Sequence, residues 1–238
     1  MPDFSDRVVV VTGAAGGLGG AVARAFERAG AKLVLVDRAA DRLPRLFPEM
    51  VDSPDHFLAV SVDLTDPDAV GAMAEETVRR FGRVDVLANV AGGFRSGTPV
   101  HETSFATWDL MLNLNARTVF IASRALIPFM LEQGSGKIVN VGARAALKGG
   151  AKMAAYSVSK SGVVRLTESM SVELKRSGIN VNCVLPGTID TQPNREAMPS
   201  ADHSHWVTPE ALADVILFLA SDAARAVHGA AIPVYGLG

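Results

Sequence analysis

Val8-Val9-Val10-Val11-Thr12-Gly13-Ala14-Ala15-Gly16-Gly17-Leu18-Gly19 is the stretch from which the fold can be read. Four valines without in/out alternation predict a strand, Val8–Val11, covered on both faces. The apolar spacing from Leu18 to Ala29 predicts a helix. Between them, glycines at 13, 17 and 19 allow a tight turn and a close backbone approach to a pyrophosphate. The helix start then offers free N–H groups and the positive end of its dipole. A glycine-rich turn alone is weak evidence. Its position between a buried strand and a helix makes Gly13, Gly17, Leu18 and Gly19 candidate dinucleotide-binding residues.

The same alternation continues along the chain. Further strands are predicted at Leu33–Val36, Leu58–Val62, Val84–Leu87, Ile138–Val141, Val181–Leu185 and Ala231–Val234. Helical spacing covers Pro67–Phe81, Phe105–Leu131, Ala155–Ser177 and Pro209–Ala220. Pro67 and Pro209 suit first-turn positions, each after a capping residue, Asp66 or Thr208. Alternating strands and helices imply an α/β fold: a Rossmann-type, doubly wound parallel sheet of seven strands with helices on both faces. No linker or repeat divides residues 1–238, so one domain is expected. The longest stretch without periodicity, Thr188–Trp206, reads as a substrate loop that closes like a lid.

The 238 residues are 48% hydrophobic with a formal net charge of −2 and no Lys/Arg-rich run, which points away from nucleic acid as a partner. The single cysteine, Cys183, sits in an apolar run and reads as a buried structural thiol. No apolar run of about 18 residues stands out, so no membrane span is expected. The first seven residues lack an apolar core of signal type. Together these readings imply a cytoplasmic protein acting on a small molecule. His203 and His205 lack further ligands at metal-binding spacing, so no metal is expected.

Two clusters carry chemistry. Asp37 ends the second strand, where a carboxylate accepts hydrogen bonds from ribose hydroxyls and repels a 2′-phosphate. Arg38, beside it, suits a 2′-phosphate instead. NADH is the expected cofactor and NADPH the alternative. Tyr156 and Lys160, at i and i+4, share a helix face. A free Tyr, with a pKa near ~10, is too weak a base at neutral pH. A nearby ammonium and the nicotinamide cation together lower that value and make Tyr156 a usable acid/base.

These residues, in this order, resemble the short-chain dehydrogenase/reductase family along the whole chain. The resemblance implies Tyr156, Lys160 and Asn115 as catalytic residues, with Asn115 holding a water in a proton relay with Lys160. It implies cofactor contacts from Asp63 and Leu64, from Asn89, Ala91 and Gly92 in Asn89-Val90-Ala91-Gly92, and from Pro186, Gly187, Ile189 and Thr191 near the nicotinamide. It also implies a homodimer or homotetramer paired through the two longest helices. One member of the family's catalytic set is missing. The family's Ser, thirteen residues before the Tyr, is Ala143 here.

Gly142-Ala143-Arg144-Ala145-Ala146-Leu147, Val90-Ala91-Gly92-Gly93-Phe94 and Asn194-Arg195-Glu196-Ala197-Met198-Pro199 resemble the dihydropteridine reductase branch of the family, which also lacks the Ser. That implies NADH-dependent reduction of a quinonoid dihydropterin or similar planar substrate, with Ala143, Phe94 and Trp206 at the substrate and Phe94 as a stacking face. Two other readings stay open. One is an alcohol or ketone dehydrogenase, of 3-oxoacyl or sugar type, in which another donor replaces Ser; Arg144, Lys148 and Ser157 lie nearby in sequence. The other is a catalytically silent protein that senses its cofactor.

Overall fold

The computed structural model describes residues 2–238. Its strands are β1 (Val8–Thr12), β2 (Lys32–Val36), β3 (His56–Ala59), β4 (Val86–Asn89), β5 (Gly136–Val141), β6 (Ile179–Pro186) and β7 (Ala231–Val234). The helices are α1 (Gly17–Arg28), α2 (Arg42–Leu46), α3 (Pro67–Phe81), α4 (Phe105–Leu112), α5 (Thr118–Gln133), α6 (Ala154–Leu174), α7 (Gln192–Ala197) and α8 (Pro209–Ala220). All strands pair in parallel, in the order β3-β2-β1-β4-β5-β6-β7. The order reverses between β1 and β4, so the loops leaving these strands diverge and open a crevice at the carboxyl edge of the sheet.

Side-chain alternation divides the core into layers. Val9, Val11, Leu33 and Val139 face α1 and α8, meeting Val22, Phe26, Leu212 and Ile216. Val8, Val10, Leu87 and Ile138 face the other way, onto Val70 of α3 and Leu126 and Met130 of α5. Cys183 is buried and packs with Val163 and Leu185, as its apolar context predicts. The expected caps form: Asp66 accepts from the Asp68 and Ala69 N–H groups, and Thr208 accepts from Ala211.

The structure revises several expected boundaries. β3 ends at Ala59, not Val62, because its pairing partner β2 stops at Val36. The chain turns back through Ser61, at φ 60°, and the Val62 N–H donates to the Asp37 carbonyl. β4 begins at Val86 rather than Val84. Thr188–Trp206 is not a bare loop, since it holds α7 and a short turn at His203–His205. The helix expected over Phe105–Leu131 is α4 and α5 joined by one π turn, Asn113–Arg117. Periodicity misses such a turn because one inserted residue leaves the apolar stripe almost intact. The joined helix, Phe105–Gln133, is long and apolar enough to cross a membrane by composition alone, contrary to the expectation above. In the structure, its Met111, Val119, Leu126 and Met130 are packed into the core.

Candidate active site

The crevice holds two cavities that meet at Leu18, Val90 and Gly92. The smaller, about 400 Å³, is walled by Gly13, Gly17, Leu18, Gly19, Asp37, Arg38, Asp63, Leu64, Ala91 and Gly92. Gly13 has φ +66°, and a Cβ there would lie 2.8 Å from the Ala91 Cα, so only glycine lets the β1 and β4 loops approach this closely. The Thr12 hydroxyl accepts from the Val90 and Ala91 N–H groups at 3.0 and 3.2 Å and fixes the β4 loop. Gly16 caps α1 without a side chain, leaving the helix's first N–H groups facing the cleft.

Asp37 is held in place. Its carboxylate accepts from the Ala15 N–H at 3.2 Å and the Ala39 N–H at 3.1 Å. Asp63 accepts from the Thr65 N–H and hydroxyl at 2.8 and 2.7 Å, which holds its carboxyl below the usual range. Arg42 also lines this cleft and donates to the Ala15 carbonyl at 2.6 Å. Its position four residues after Arg38 was the available sequence signal, and the sequence reading missed it.

Asn89 corrects an expectation. Its side chain points away from both cavities and donates to Asn140 Oδ1 at 2.9 Å and Ser123 Oγ at 3.3 Å. Asn140 passes the chain on to Thr167 at 2.8 Å. Asn89 therefore ties β4 to β5, α5 and α6 within the core.

The larger cavity, about 670 Å³, contains Tyr156, Lys160, Ala143 and Phe94. Tyr156 and Lys160 sit on α6. The Lys160 ammonium is buried and donates to the Val141 carbonyl at 2.8 Å. Burial lowers it to about 8 and raises the Tyr156 hydroxyl to about 12. Without the nicotinamide cation, the lowering expected from it and Lys160 together does not arise. Desolvation dominates, and Tyr156 keeps its proton at neutral pH.

Asn115 lies in the π turn and is fully buried. Its amide donates to the Gly93 carbonyl at 3.1 Å and to Ser159 Oγ at 3.0 Å, and its oxygen accepts from the Gly93 N–H at 3.0 Å. The side chain clamps the β4 loop rather than reaching open space. A Cβ on Gly92 would lie 2.8 Å from Asn115 Oδ1 and 3.2 Å from Lys160 Nζ, so Gly92 keeps both groups next to the crevice.

Ala143 is buried in the cavity wall and offers no hydroxyl. Of the three neighbours considered as replacements, Ser157 is outside the wall, and its hydroxyl is buried without a partner. Arg144 and Lys148 do line the cavity, together with Thr188 and Asn194. Pro186, Gly187 and Ile189 form the side nearest α7, and Thr191 lies against Gly17. Trp206 is not in the wall. Val207 pairs with Ile189 and is buried, so its extended neighbour Trp206 points outward, against the His203 ring at 4.3 Å. Met198, within the expected substrate loop, also lines the cavity, as does Met153, which nothing in its sequence context marked.

The joined crevice fits a dinucleotide: glycines that a Cβ would block, open helix N–H groups and a fixed carboxylate where β2 ends. Residues 7–202 match the family model for short chain dehydrogenase. The chain is 35% identical to a subunit of (2S)-[(R)-hydroxy(phenyl)methyl]succinyl-CoA dehydrogenase from Thauera aromatica, over 98% of this chain and 96% of that one. It is 34% identical to a 3-oxoacyl-[acyl-carrier-protein] reductase from Thermotoga maritima, over 97% and 96%. The crystal structure of levodione reductase superposes with a TM-score of 0.88 at 31% identity, covering 98% of this chain and 97% of that one.

Proposed function

The chain belongs to the short chain dehydrogenase family and is an NAD(P)-dependent oxidoreductase; from that premise, we propose that it reduces a planar, conjugated substrate of the quinonoid dihydropteridine type, with NADH preferred over NADPH. The observation that carries this reading is Ala143. The cavity wall has no hydroxyl where the resemblance places the Ser that would polarise a substrate carbonyl. Removing one such donor typically costs about 2.7–4 kcal/mol for a carbonyl substrate. A quinonoid ring, which gains conjugative stabilisation on reduction, needs little polarisation. Phe94, half exposed at the cavity, supplies a face for the ring.

NADH, when bound, supplies the hydride. The protein's residues handle the proton. Tyr156, protonated at neutral pH, donates it to the substrate atom that needs it. Lys160, near 8, is able to exchange a proton close to neutrality and replenishes Tyr156. Asn115 positions this pair through Gly93 and Ser159. Gly13, Gly17, Leu18, Gly19, Asp37, Asp63, Leu64, Ala91 and Gly92 hold the cofactor, and Pro186, Gly187, Ile189 and Thr191 border its nicotinamide end. We take residues 1–238 as one cytoplasmic domain assembled as a homodimer or homotetramer. Phe105, Phe120 and Val172, exposed on α4, α5 and α6, support the assembly.

The relatives favour a second reading. They are named for hydroxyacyl and 3-oxoacyl substrates. On that reading, Arg144 or Lys148 supplies the missing donor. Steady-state kinetics with NADH on quinonoid dihydropterin and on a panel of ketones separates the two. Turnover of the pterin at a kcat/KM well above that of every ketone supports the first reading, and the reverse order replaces it with the second. The Tyr156→Phe variant should lose most turnover of a carbonyl substrate and keep NADH affinity.

A further inference from the structure

We infer that the substrate carries a carboxylate, held by Arg144 and Lys148 at the mouth of the larger cavity. The inference rests on the oxidoreductase reading of that cavity and narrows its substrate class. The ionisable side chains in the wall are Arg144, Lys148, Tyr156 and Lys160, and no Asp or Glu is among them. The chain as a whole has a net charge of −2, so this excess of cations is local. Among the described residues, no carboxylate lies within 4.0 Å of Arg144 or Lys148.

The acids on the neighbouring segment are already engaged. Both Asp190 oxygens accept from Arg195, at 2.5 and 2.7 Å, and Glu196 accepts from Gln192 at 2.8 Å. Arg144 is steadied from behind, its guanidinium 5.0 Å from the Tyr235 ring centre. The rest of the wall adds the polar Thr188 and Asn194, and its largest apolar side chains are Phe94, Met153 and Met198. Such a cavity suits an amphiphile whose ring lies between these side chains and whose anion reaches the two cations. A planar guanidinium fork matches a carboxylate, and the local field also draws an anion inward.

The test uses the full chain loaded with saturating NADH and two probes, 2-naphthoate and 2-naphthamide, which share a ring and differ in charge. Calorimetry should show naphthoate binding about tenfold tighter at low salt, equivalent to one modest charge-assisted contact. The Arg144→Gln/Lys148→Gln double variant should lose that preference with its naphthamide and NADH affinities unchanged. Arg144→Lys, which keeps the charge, should retain most of it. Equal binding of the two probes, a preference that survives in the double variant, or no naphthoate binding up to about 10 mM, in each case with NADH still bound, overturns the inference alone. Failure of the wild-type chain to bind NADH would instead overturn the reading on which it rests.

Discussion

The rings of Phe94 and Tyr156 stand 4.7 Å apart and nearly perpendicular, at 89°. The pair links the loop after β4 to Tyr156 on α6. It also holds the Phe94 ring directly against Tyr156 in the cavity wall. Edge-to-face pairs contribute about 0.5–1.5 kcal/mol beyond their buried area.

Replacing Phe94 with Leu should therefore penalise flat substrates more than open-chain ones. The expected result is a fall of roughly three- to tenfold in the ratio of kcat/KM for a ring substrate to that for a small open-chain ketone. An unchanged ratio would mean that Phe94 only packs against Tyr156.

Asp37 should govern the choice between cofactors. Asp37→Ser removes the like charge facing a 2′-phosphate and leaves Arg38 and Arg42 in the same cleft. The ratio of kcat/KM for NADPH to that for NADH should rise by about tenfold or more. Measured with one substrate, an unchanged ratio would take Asp37 out of cofactor selection.

Asn115 should matter for both folding and catalysis. Asn115→Ala strands the Gly93 N–H and carbonyl, both satisfied by this side chain. Leaving a buried polar group unpaired costs about 1–3 kcal/mol, and Gly93 is only partly buried, so urea unfolding should show a loss of roughly 1–2 kcal/mol. The NADH Kd should also rise, because Gly92 and Gly93 shape the junction of the two cavities. A variant as stable as the parent would show that this clamp is slack.

How far the sequence could be read follows from these particulars. The valine run and the glycines of residues 8–19 made the sheet legible, because burial on both faces and a phosphate turn leave strong local marks. Tyr156 and Lys160 were legible through their helical spacing. The π turn at Asn113–Arg117 was not, since a one-residue insertion barely shifts an apolar stripe. Asn89 and Trp206 were placed at the site by resemblance, and the structure turns both side chains away. Which way a side chain points at a strand end or in a paired loop depends on register, here the Ile189–Val207 bridge and the Asn89–Asn140 pair. The raised Tyr156 was equally hidden, because desolvation is a property of the packed site.

The buried Lys160 should leave a signature in stability. Its pKa falls from an ordinary 10.5 to about 8 on folding, so between these values the unfolded chain binds more protons. Stability from this group must then rise with pH across that window. The full amplitude is of the order of 3 kcal/mol. Cys183 and Tyr156, raised to about 11 and about 12, act in the opposite sense above their ordinary values. The difference between the parent and Lys160→Met isolates the lysine. Urea unfolding at pH 7 to 10 should show the parent gaining on the variant as pH rises, and parallel curves would contradict the burial of a titrating ammonium.

The absence of a hydroxyl at residue 143 should match the substrate. Its most direct test is paired kinetics of the parent and Ala143→Ser on quinonoid dihydropterin and on a ketone, both with NADH. The pterin rate should stay level or fall, because its transition state has no use for the added hydrogen bond. Ketone turnover should rise, by up to the ~10²–10³ that one such donor supplies. A parent that is inactive on the pterin and efficient on ketones, with Ala143→Ser bringing no gain, would contradict the account and show that another group already fills the place of the missing serine.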